Sequence, residues 1–126
     1  MMEPEALKWH RFETFANEWE HFGSISRPPS FFKDELGRVF LSGTITNGRP
    51  DNPGGTRSKV CDLPEGFRPI YAAHFSVANS TRTEDGDEAQ TAILIVRPDG
   101  EIIVKNAHPG WLTMDGTIIF TTEELA

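Results

Sequence analysis

The chain reads as all-β, an antiparallel β-sandwich of jelly-roll-like type, on three observations. Apolar runs of strand length recur about every eight to twelve residues. Clusters of Gly, Pro, Asp and Asn, helped by 11 glycines and 9 prolines, separate them. No series of helical apolar repeats alternates with the strands, which argues against a parallel α/β sheet. A length of 126 residues fits one domain that buries about two-thirds of its unfolded surface, with 1–6 and 123–126 expected as loose ends.

Leu7 to Gly23 supports two readings. Leu7, Trp9, Phe12, Phe15, Trp19 and Phe22 fall near three-and-four spacing, which reads as an amphipathic helix. The same aromatic residues suit two strands, Lys8–Phe15 and Trp19–Phe22, joined by a turn at Ala16-Asn17-Glu18. A proline-containing loop, Ser24 to Pro29, precedes a short strand Ser30–Lys33, and Asp34 to Gly37 turns it back. Arg38 to Thr46 then alternates cleanly, Val39, Leu41, Gly43 and Ile45 on one face.

Asn47 to Thr56 (NGRPDNPGGT) is all turn formers with no apolar side chain, an expected mobile surface loop. Arg57–Asp62 is a short strand leading into Leu63-Pro64-Glu65-Gly66-Phe67-Arg68-Pro69. Two prolines and a glycine there allow neither helix nor central strand, so the stretch is a stiff crossing. Ile70–Ala78 is the next strand, and Asn79–Glu88 (NSTRTEDGDE) a second polar loop. Gln90–Val96 is a nearly continuous apolar strand, expected to be buried on both faces; Pro98-Asp99-Gly100 turns it into Glu101–Lys105. After a loop at Asn106–Gly110, a strand at Trp111–Met114 turns at Asp115-Gly116 into Thr117–Thr122.

A net charge of −7 lacks the cationic face that phosphate binding needs and disfavours adhesion to anionic lipid. No apolar run approaches the roughly 20 residues of a membrane span, and the acidic start Met1-Met2-Glu3-Pro4-Glu5 lacks signal-peptide character. The expectation is a chain made in a reducing cytoplasm, with neither nucleic acid nor membrane insertion among its partners. The single Cys61 cannot form an internal disulfide and reads as a small buried apolar residue.

No pattern of catalysis or cofactor binding stands out. His10, His21, His74 and His108 lack metal-ligand spacing. Glu84-Asp85-Gly86-Asp87-Glu88 lacks the register of a calcium loop. There is neither a nucleophile elbow nor a complete phosphate loop. The expectation is a protein without metal, cofactor or enzymatic activity. Trp9, Trp19 and Trp111 read as structural aromatics. Binding is placed instead in loops carried on a rigid scaffold, with Asn47, Arg49, Asp51, Arg82, Asp85, Asn106 and His108 as the candidate ligand contacts, hydrogen-bonding groups suited to sugar hydroxyls.

Several segments stand in a telling order. Trp9 and Asn17-Glu18-Trp19 are followed by Gly37-Arg38-Val39-Phe40-Leu41-Ser42-Gly43-Thr44-Ile45 and then by Leu63–Pro69. Pro98-Asp99-Gly100-Glu101-Ile102 comes next, and then Trp111-Leu112-Thr113-Met114-Asp115-Gly116-Thr117-Ile118-Ile119-Phe120. The ordered set, from about Trp9 to Phe120, resembles the C-terminal domains of bacteriophage tail fibres and minor tail proteins. That resemblance implies strands rather than helix in the first segment, a homotrimer, and a place in the virion tail beside other tail proteins. It also implies non-catalytic recognition of a bacterial surface polysaccharide or surface protein, three copies raising the avidity. A structural trimerisation or attachment domain, a stand-alone carbohydrate-binding module and a small depolymerase or esterase are the rivals. Two features depart from the pattern: Glu18 stands where glycine is expected, and Glu123–Ala126 extends past the terminal strand.

Overall fold

The computed structural model describes residues 8–23, 25–83, 86–115 and 118–122; the ends expected to be loose, 1–6 and 123–126, lie outside them. Eleven strands follow one another: β1 (His10–Arg11), β2 (Glu20–His21), β3 (Ser30–Lys33), β4 (Arg38–Ser42), β5 (Thr44–Thr46) and β6 (Arg57–Asp62). Then come β7 (Ala73–Thr83), β8 (Gly86–Val96), β9 (Glu101–Lys105), β10 (Leu112–Thr113) and β11 (Ile118–Thr121). Every pairing is antiparallel. The four-stranded sheet runs β1-β3-β4-β11 and the seven-stranded sheet β2-β5-β10-β7-β8-β9-β6. No helix occurs among the described residues. The protein is all-β.

Both sheets feed one core. Phe31, Val39, Leu41 and Phe120 come from the smaller sheet, and Ile45, Val60, Val77, Leu94, Ile102 and Leu112 from the larger. Alternation puts these side chains inside: β4 reads exposed-buried-half-buried-buried-half-buried. The first segment is extended, as the resemblance implied. Phe12 and Trp19 reach the core from a chain whose backbone is held by partners outside it, Phe12 N–H on the Pro29 carbonyl (3.0 Å) and Ala16 N–H on that of Val60 (2.8 Å). Tertiary hydrogen bonds override the helical spacing.

The expected single strand Arg38–Thr46 is broken at Gly43, where the chain leaves one sheet for the other. Gly43 has φ +114°, and a Cβ there would lie 2.5 Å from Pro29 Cα; only glycine fits without displacing backbone. The partner strand turns the same corner. β4 pairs with β11 and β5 with β10, so a two-stranded ribbon bends from sheet to sheet. Asp115 holds the bend: its Oδ1 accepts from Gly43 N–H and Ser42 Oγ, both at 2.7 Å, while Met114 N–H donates to the Gly43 carbonyl. Burial opposes the Asp115 charge, but the Gly43 N–H, the Ser42 and Thr113 hydroxyls and the Arg27 charge outweigh it and keep the carboxyl below the ordinary aspartate value. The two motifs ending in Ile45 and Phe120 are thus one structural device.

Three further expectations need correction. Asn79–Glu88 is largely strand, because β7 and β8 pair in unbroken register out to Thr83 and Gly86. Asn79 and Ser80 are buried there, their polar groups taken up by the 106–111 segment. The strand expected from Ile70 begins only at Ala73, and Tyr71 is exposed in the crossing. β8 is not buried on both faces: Ala92, Leu94 and Val96 point inward, whereas Ile93 is 40% exposed.

Candidate functional site

Between β2 and β6, the two edge strands of the larger sheet, lies a concavity of about 790 Å³, lined by residues from three parts of the chain. Glu18, Trp19 and Glu20 form one wall, Asn47 to Pro50 a second, and Ala107 and Pro109 a third, with Gly55, Thr56 and Ser58 closing it. Trp19 is part of its lining. Its ring is almost wholly buried, and Nε1 donates to Ser58 Oγ at 2.8 Å. Gly48 passes so close that a Cβ there would fall 1.8 Å from Trp19 Cε2.

The 47–56 segment is not the mobile loop its composition suggests. Asn47 N–H donates to the Pro109 carbonyl, Arg49 N–H to Asn17 and Asp51 N–H to Arg57, all at 2.8–2.9 Å. Asn17 Nδ2 reaches both Asp51 Oδ1 (2.7 Å) and the Lys59 carbonyl (3.0 Å). Turn residues have here found fixed tertiary partners, and the loop becomes a wall.

Backbone strain gathers at this wall. Among the described residues, four non-glycine residues have positive φ: Asn17 (52°), Glu18 (66°), Asn47 (65°) and Asn106 (59°). Each lines the concavity or adjoins a residue that does. Asparagine tolerates this region; glutamate does so poorly. Asn17 and Glu18 are the central residues of a tight turn closed by Trp19 N–H on the Ala16 carbonyl at 3.1 Å, the pattern that favours Asn-Gly. The glutamate that departs from the expected glycine therefore sits where glycine would be least strained.

Two polar pairs stand on the walls. Asn47 Nδ2 donates to Glu20 Oε1 at 2.7 Å, and Arg49 Nε pairs with Glu18 Oε2. Of the residues expected at a site, Asn47 and Arg49 line the concavity. Asp51 is engaged by Asn17, by Lys59 N–H and by Arg57. The Lys59 N–H foremost, with Asn17 and Arg57, holds its carboxyl below the usual value against the cost of burial. Asn106 contributes backbone, its N–H to the Thr56 carbonyl and its carbonyl to Gln90 Nε2. His108 is exposed and tied through its backbone to Asn79. Arg82 pairs in register with Asp87 near the end of the β7–β8 hairpin, and Asp85 lies outside the described residues.

Sequence reasoning passed over Glu18 and Glu20. Their signal was the Asn17-Glu18 turn itself, a glutamate at a position suited to glycine. Cys61 is buried, and burial, with the nearby Asp62 charge, pushes its thiol pKa far up, which makes it a poor nucleophile. Among the described residues, no three His, Cys, Asp or Glu side chains converge as metal ligands would. Comparison with family models, with curated proteins and with solved structures finds no match for this chain.

Proposed function

We propose that the protein is a non-catalytic ligand-binding domain of phage tail-fibre type, which recognises a bacterial surface saccharide through the Trp19-lined concavity. The observation that carries this reading is the convergence of left-handed backbone on one concavity, strained at Glu18. Positive φ at Glu18 costs about 1 kcal/mol or more, and such strain collects at binding and catalytic sites. Open walls of amide, guanidinium and carboxylate groups suit a hydroxyl-rich ligand. The order of motifs from Trp9 to Phe120 supports the tail-fibre assignment, with a jelly-roll-like sandwich, a homotrimer and a virion location as its further parts.

A row of aromatic side chains supports contact between copies. On the four-stranded sheet Trp9 stacks on Phe32 at 5.3 Å, and Phe32 meets Phe40 at 5.9 Å. The rival reading, a structural attachment domain without a host ligand, draws on the exposed Ile25, Leu36 and Tyr71. Adsorption separates them, and light scattering tests the trimer. Light scattering across a dilution series should give three times 14.1 kDa, and the domain should adsorb to bacterial cells and lose that adsorption on Arg49→Ala. A monomer at every dilution would remove the trimer. Adsorption indifferent to Arg49→Ala would remove the concavity.

A further inference from the structure

We infer that the concavity selects uncharged saccharides, reading hydroxyl pairs with its two carboxylate-centred pairs and rejecting carboxylated sugars. The inference rests on the binding reading above and names the ligand class. Each pair sets an acceptor on one wall beside a donor on the next: Glu20 beside Asn47, and Glu18 beside Arg49. Each carboxylate is held through one oxygen, Glu20 through Oε1 and Glu18 through Oε2. Among the described residues no further hydrogen bond to either carboxylate is formed, so Glu20 Oε2 and Glu18 Oε1 are available as acceptors.

An ionised carboxylate only accepts, whereas an amide NH₂ or guanidinium donates. A sugar hydroxyl does both. Two neighbouring hydroxyls therefore match such a pair, one donating to the carboxylate and the other accepting from the adjacent N–H. Hydrogen bonds to an ionised acceptor are about twice as strong as neutral ones, which gives the carboxylates the larger share of recognition.

The same charges define what is refused. Two glutamates face one arginine across this lining, in a chain of net charge −7. A sugar carboxylate would meet acceptors of its own sign, and like charges brought together oppose binding. Arg49 offers it little relief, being already paired with Glu18. The apolar parts of the lining, Pro50, Ala107 and Pro109, suit the C–H faces of a pyranose.

The test is a titration followed by isothermal calorimetry. The probes are uncharged gluco-, galacto-, manno- and N-acetylglucosamine oligosaccharides, set against polygalacturonate fragments and sialyllactose. The expected result is saturable binding of at least one uncharged probe and at least tenfold weaker binding of every carboxylated one. Glu20→Gln keeps shape and removes charge. It should weaken the uncharged probe about tenfold and narrow its advantage over the carboxylated probes, with an unaltered melting temperature showing that the fold is intact. Carboxylated probes binding as well as uncharged ones, with Asn47→Ala abolishing both, would overturn this inference and leave the binding site standing. Binding of uncharged probes unaffected by Glu20→Gln and Asn47→Ala would overturn the assignment to these pairs. No response to any probe would remove saccharide binding by the concavity altogether.

Discussion

Position 18 should reverse the usual order of alanine and glycine. In ordinary strand or helix backbone, alanine is the more stabilising by about 0.5–1 kcal/mol, because glycine loses more freedom on folding. At Glu18 φ is +66°, where a Cβ costs roughly 1–2 kcal/mol. Both substitutions remove the same ion pair with Arg49, whose side chains are 64% and 75% exposed, so its small contribution cancels between them. What is left favours Glu18→Gly over Glu18→Ala by about 1 kcal/mol. For a chain of this length that is about 3–5 °C in melting temperature. Urea unfolding of the two variants measures it directly, provided their m-values agree. If Glu18→Ala proves as stable as Glu18→Gly or more so, the turn does not have positive φ at this residue. The strain argument for the concavity then loses its strongest member.

Gly43→Ala should destabilise by about 3 kcal/mol or more, since the new Cβ meets the Pro28–Pro29 backbone at a φ that disfavours any side chain; a loss under about 1 kcal/mol by urea unfolding would refute the sheet-to-sheet corner. Native Cys61 should resist a thiol reagent that labels it promptly in denaturant, because the thiol is buried and its pKa is raised; equal rates would contradict the packing of β6. Asp51 and Asp115 have folded pKa values below their unfolded ones. Their contribution is therefore complete above the unfolded aspartate value of about 3.9 and is lost as pH falls through the folded values. Asp115→Asn should flatten the fall in stability below about pH 4; an unchanged slope would show that the corner does not depend on that charge.

Much of the fold was legible from local chemistry. Period-two alternation located β4, because a half-buried strand must alternate whatever it pairs with, and short strand-length runs between turn signals located β3, β6 and β9. Asp34–Gly37 and Pro98–Gly100 announced their turns through residues that form such turns by themselves; Gly37 (φ 77°) and Gly100 (φ 94°) supply the positive φ. Asn47 and Arg49, expected as ligand contacts from their polar loop, line the concavity.

Other features depended on groups distant in the chain. Asn79-Ser80 reads as loop from its polarity, yet becomes buried strand because Gln90, His108 and Trp111 satisfy its polar groups. Gly43 reads as one member of a strand, and only Pro29 and Asp115 make it a corner. Glu18 and Glu20 come to face Asn47, Arg49 and Pro109 through hydrogen bonds spanning 27 residues or more. Composition and turn chemistry thus determined that the chain is all-β and where most strands lie, since those depend on backbone geometry alone. The bend between sheets, the wall made from a turn-rich loop and the meeting of two glutamates at one concavity were decided by tertiary structure, because each depends on a partner whose position no local pattern encodes.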